Sequence, residues 1–156
     1  MIKPNKLRII GNFLIGMVIV SFVACGPSVE LTDVDYAEPI ESVLEPDADG
    51  NVTDDRTGLS FNILAIQEEE TGEGTSVTTS EVRVIRNTEG YYFVTAPGYS
   101  NVYVFEVVES GMDLYEKIEV DADGIANPAF NEDSPYVELL DGTDVSYRLT
   151  KDGIVD

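Results

Sequence analysis

The chain has 156 residues, room for about one ordinary domain. It carries 30 acidic residues against nine basic ones, a single cysteine and no histidine. A surface this acidic repels phosphate backbones, so nucleic acid is excluded as a natural partner. The missing imidazole excludes serine, cysteine and zinc chemistry in their usual forms.

The first element in chain order is a targeting segment. Lys3, Lys6 and Arg8 form a basic start, and Ile9 to Ala24 is a mostly apolar run broken by Gly11, Asn12, Gly16 and Ser21. A membrane-spanning helix needs about 20 apolar residues, and this run is shorter and ends in small residues. That is the anatomy of a secretory signal. The three basic residues belong to this segment, so from Cys25 onward six basic residues face 30 acidic ones, a net charge of −24.

Phe22-Val23-Ala24-Cys25 resembles the lipobox of bacterial lipoproteins, with Phe22 where that motif most often has leucine. The resemblance implies that residues 1–24 are removed and that Cys25 becomes the lipidated first residue, held in the membrane by acyl chains such as palmitate. Physically, two or three chains at about 0.8 kcal/mol per buried CH₂ give stable anchoring where one is marginal. Gly26 stands where the enterobacterial inner-membrane retention signal has aspartate, so by that analogy the outer membrane is the expected address. A lone cysteine forms no internal disulfide.

Residues 25–57 read as a lipidated cysteine followed by an acidic tether. Positions 26–57 hold three prolines, ten acidic residues and one basic residue, Arg56, with apolar residues scattered between them. Such a composition buries little surface to offset ordering entropy. The rival reading adds Val29 to Tyr36 to the domain as an edge strand.

From Gly58 to the end the pattern is short β-like runs between turn residues, which defines a domain over 58–156. "LSFNILAIQ" reads as a well-buried strand with Leu59, Phe61, Ile63 and Ala65 on one face. "EVRVIR" alternates, "NTEG" at 87–90 supplies hairpin chemistry before "YYFVT", and "APG" turns the chain again. "NVYVFEVV" is apolar on both faces and reads as a central strand. "LYEKIEV" places Leu114, Ile118 and Val120 inward. "PYVELL" follows, and "VSYRLT" faces Val145, Tyr147 and Leu149 one way. The expectation is an all-β fold, a small antiparallel Ig-like sandwich of about seven strands without a convincing helix.

Gly90-Tyr91-Tyr92-Phe93-Val94, Pro97-Gly98-Tyr99 and Val102-Tyr103-Val104 resemble a pattern in carboxypeptidase regulatory-like and transthyretin-like domains. The likeness covers some fifteen residues and implies a seven-stranded accessory module with no catalytic residues to carry over.

Two loops offer hard oxygen donors. Asp47, Asp49, Asn51, Asp54 and Asp55 surround Gly50, and Asp121 and Asp123 precede Gly124 in a second Asp-Ala-Asp-Gly. Donors at alternate positions before a glycine suit Ca²⁺, the one cofactor the sequence suggests, although the bidentate glutamate of an EF-hand is replaced by Arg56 and Phe130. The competing account is turn chemistry, with Asp accepting backbone N–H bonds and Gly allowing positive φ. Tyr91, Tyr92, Tyr99 and Tyr103 read as core residues ahead of a ligand platform. The sequence therefore predicts a lipid-anchored envelope protein, not an enzyme, that touches the membrane through its N-terminal lipid and engages an envelope protein partner. A calcium-binding module and a carboxylate-dependent hydrolase are the alternatives.

Overall fold

A computed structural model describes residues 40–109 and 111–155. Every described residue belongs to one compact unit. The signal segment, Cys25 and the Val29 to Tyr36 stretch lie outside the described residues.

The domain is all-β with one short helix. In chain order come β1 (Ser42–Leu44), β2 (Asn51–Asp54), β3 (Leu59–Asn62), α1 (Leu64–Thr71), β4 (Val82–Arg86), β5 (Tyr92–Thr95) and β6 (Asn101–Val108). They are followed by β7 (Gly111–Glu119), β8 (Pro128–Asp133), β9 (Tyr136–Asp141), β10 (Asp144–Thr150) and β11 (Gly153–Val155). All pairings are antiparallel. One sheet has the order β1-β4-β5-β6-β7, a second has β11-β10-β9-β8, and β2-β3 forms a separate hairpin.

Eleven strands stand where the sequence suggested about seven. The additional ones are β1, β2, β8 and β11, and each is too short or too polar to announce itself by alternation. Two of them fall in the stretch read as a tether, so order begins before Gly58. The reason lies in a few well-placed buried groups: Val52 is fully buried, Leu44 packs against the same cluster, and Ser42 Oγ donates to the buried Asp54 carboxylate at 2.5 Å. A short strand needs only one or two such inward residues to be held.

Alternation sorts the large sheet's residues onto two cores. Ile85, Phe93, Val102, Val104 and Ile118 face the second sheet and meet Phe130, Val137, Leu139 and Leu149. Val82, Val84, Val94 and Tyr103 point the other way and are covered by Val52 of β2 and by Ile63 and Ile66 at α1. β6 is buried on both faces, as its two-sided apolar pattern requires. The β4–β5 turn is the expected hairpin: the Gly90 amide donates to the Asn87 carbonyl at 3.0 Å, and Asn87 Oδ1 accepts from the Tyr91 amide at 2.9 Å.

The run after Leu59 departs from the expected strand. β3 ends at Asn62, whose Oδ1 accepts the Leu64 amide, and α1 begins. Ile63, Ile66, Gln67 and Glu70 then share the face turned to the sheet, the i, i+3, i+4, i+7 spacing of a helix. Gly72 at φ 74° ends it, donating its amide to the Glu68 carbonyl.

Two β-bulges overturn the inward placement of Leu114 and Val145. Between β6 and β7 the register slips after Val104↔Glu116 to Phe105↔Leu114, which leaves Tyr115 as the extra residue. Between β10 and β9 it slips from Val145↔Leu140 to Tyr147↔Leu139, with Ser146 extra. An inserted residue inverts the faces beyond it. Leu114 and Val145 are thus about half exposed, whereas Ile118, Val120 and Leu149 are buried as expected.

Candidate functional site

Of the residues the sequence singles out, Cys25 lies outside the described residues, and the acidic ones are largely absorbed by the fold. The two Asp-Ala-Asp-Gly loops fold alike. Asp47 Oδ1 accepts the Asp49 amide at 2.9 Å and Asp121 Oδ1 accepts the Asp123 amide at 2.9 Å. The Gly50 and Gly124 amides each donate to the carbonyl of the leading aspartate at 3.0 Å, and both glycines have positive φ. In the first loop Asp47 also accepts from the Asn51 amide and side chain, which holds its carboxyl below the usual range. The second loop packs backbone on backbone: a Cβ at Gly124 would lie 2.4 Å from the Gly98 carbonyl oxygen.

Asp54 is committed elsewhere. Burial pushes its carboxyl up, but hydrogen bonds from Ser42 and the Arg56 amide outweigh it, and the Arg56 guanidinium at 3.6 Å adds to them, leaving the value lowered. The same guanidinium donates to Ser42 Oγ, closing the network at the β2–β3 turn. Asp49, Asp55 and Asp123 are exposed. Among the described residues no group of three or more Asp, Glu, His or Cys side chains is arranged to hold a metal ion.

The tyrosines do not form one platform. Tyr99 and Tyr103 are buried, while Tyr91 and Tyr92 lie against opposite cores. Burial and the adjacent Glu70 push the Tyr103 phenol well above its ordinary value, its hydroxyl donating to Glu70 Oε1 at 2.8 Å.

Three polar residues matter that sequence reasoning missed. Gln67 is fully buried and donates to the Glu73 and Ser76 carbonyls, both at 2.7 Å, while its oxygen accepts from the Thr78 and Thr79 amides. It thereby organises the loop between α1 and β4. Glu70 pins α1 to the sheet by accepting from the Ser100 amide, the Asn101 side chain and Tyr103. Glu41 joins the sheets: Oε1 accepts the Phe130 amide of β8 at 2.8 Å, and Oε2 meets Arg83 of β4 at 3.3 Å. The signal for Gln67 and Glu70 is their place four and seven residues after Ile63 on a helical face; nothing local marks Glu41.

A groove of about 530 Å³ opens on the face opposite the second sheet. One wall is the continuous run 57–62 containing β3. Tyr92 and Val94 of β5, Phe105 and Val107 of β6 and Met112 of β7 make the floor, and Ala65 and Ile66 of α1 close one end. β3 pairs only with β2, so its second edge has no strand partner among the described residues. Val107 is 60% exposed and Leu114, on the same face of the sheet as Phe105, is 51% exposed. The walls carry no carboxylate, thiol or amine. A polar hollow of about 250 Å³ adjoins at Val107, lined by Arg86, Glu89 and Glu106, with the Arg86 guanidinium 5.7 Å above the Tyr92 ring. Such a surface can bury apolar side chains and pair with backbone, and its polar lining is the hydroxyls of Thr57, Ser60 and Tyr92 and the Asn62 amide.

No family model, curated protein or solved structure matches this chain.

Proposed function

We propose that the chain is a lipid-anchored protein of the bacterial envelope, at the outer membrane, whose β domain binds a partner or supports structure and does not catalyse. The observation that carries the reading is a largely apolar, strand-edged groove on the β domain. The basic start, the apolar run and Phe22-Val23-Ala24-Cys25 supply the address.

The address is tested by expressing the chain with Cys25→Ser in a Gram-negative host. Intact mass of the unaltered protein is expected to show loss of residues 1–24 and gain of acyl mass, and the variant is expected to leave the membrane fraction. A variant that partitions unchanged, or a mass retaining residues 1–24, sinks the anchor.

A further inference from the structure

We infer that the groove receives an extended segment of a partner protein, added as a third strand to the free edge of β3, in which apolar residues alternate with lysine or arginine. The inference deepens the reading of the domain as a binding module and rests on it.

Three observations converge. Among the described residues, the layer formed by β2 and β3 covers only part of the large sheet, and the groove lies along its open side. Every residue from 57 to 62 lines the groove, so a backbone edge faces the space as well as side chains. An edge with unpaired N–H and C=O groups is a template for one more strand, about 4.8 Å away. Beneath that position the floor is apolar, with Val107 60% exposed. Alternate side chains of an added strand would bury there, the arrangement by which strand addition combines backbone affinity with side-chain selection.

Charge selects the other side chains of the partner strand. Asp55 stands at the turn entering β3, Glu68 is exposed on α1 at the closed end, and Glu89 and Glu106 line the adjoining hollow. The nearby cations are already engaged, Arg86 over Tyr92 and Lys117 on Glu69 at 2.6 Å. With the chain's net charge of −21 behind them, these acids repel an acidic segment and attract a basic one.

The test is hydrogen exchange on the full chain in phosphatidylcholine nanodiscs, with the acetylated, amidated octapeptide (Lys-Val)₄ as probe. Exchange in residues 57–62 is expected to slow by roughly tenfold or more on saturation. (Glu-Val)₄, (Lys-Ser)₄ and a (Lys-Val)₄ N-methylated at alternate residues are expected to protect far less. Val107→Lys, at an exposed position that does not support the core, is expected to abolish the effect. The inference is overturned if the amides of 59–62 that do not donate to β2 are already protected without peptide, which would mean the chain covers its own edge. It is equally overturned if the control peptides protect as well as (Lys-Val)₄, or if sodium dodecanoate protects and (Lys-Val)₄ does not, which would make the groove a lipid site. None of these outcomes touches the Cys25 measurement, so failure of the anchor and failure of the strand site are told apart.

Discussion

At the scale of single residues, the carboxylates of this acidic chain divide into those the fold uses and those it leaves in water. Glu41 and Asp54 belong to the first group and respond to pH with opposite signs. Burial raises the Glu41 carboxyl, and the Phe130 amide and the Arg83 charge only partly counter it. A carboxyl raised in the folded state stabilises fully below its unfolded value, ordinarily 4.5, and that contribution is lost as pH rises through the folded value. Asp54, whose value is lowered, contributes above its unfolded value, ordinarily 3.8, and loses that contribution as pH falls through the folded one. Glu41→Gln keeps an oxygen for the Phe130 amide and removes the cost of burying a charge. Its urea midpoint is therefore expected to equal or exceed that of the unaltered protein at pH 7, and to lose any advantage below about pH 4. A clear loss at pH 7 would mean that pairing with Arg83 outweighs desolvation.

At the scale of elements, the two bulges decide which apolar residues stabilise the fold. Leu114 and Ile118 lie four apart on β7, and Val145 and Leu149 four apart on β10, so simple alternation treats the members of each pair as equivalent. The register shifts make them unlike. Leu114→Thr and Val145→Thr are expected to change unfolding free energy by less than about 0.5 kcal/mol. Ile118→Ala and Leu149→Ala, which empty space in the core between the sheets, are each expected to cost about 2–4 kcal/mol by denaturant titration. Equal costs within a pair would remove the bulge from the account. The same contrast explains what was legible in the sequence. The Asn87–Gly90 hairpin, the two-sided burial of β6 and the inward Ile118 and Leu149 follow from turn chemistry and period 2. The bulges do not, because an extra residue changes no composition. The helix was hidden because Leu59, Phe61, Ile63 and Ala65 happen to alternate just where β3 gives way to α1. The groove was illegible for another reason: it is assembled from β3, α1, β5, β6 and β7, and no local pattern reports how elements so far apart in the chain meet.

At the scale of the whole molecule, charge is the largest influence on stability that packing does not settle. Beyond residue 24 there are six cations for 30 acids, so most carboxylates have no partner of opposite sign and repel one another. Ion pairs such as Lys117–Glu69 and Arg148–Asp133 are exposed, worth about 0–1 kcal/mol each at best, and salt weakens them. Screening therefore acts on two opposed sums, and the repulsive one is larger. Raising NaCl from about 0.01 to 0.15 M shortens the Debye length from about 30 to 8 Å. The melting midpoint is expected to rise by several degrees over that range, since about 1 kcal/mol moves a domain of this size by roughly 3–6 °C. A fall would mean that the few ion pairs outweigh the many unpaired acids. Comparing CaCl₂ with MgCl₂ at equal concentration separates screening from site binding. Asp47 and Asp121 already commit carboxylate oxygens to turn amides, so the two salts are expected to raise the midpoint alike. An excess specific to calcium would show that the Asp-Ala-Asp-Gly turns release those amides to take up the ion, and that the acidity serves a ligand as well as solvation.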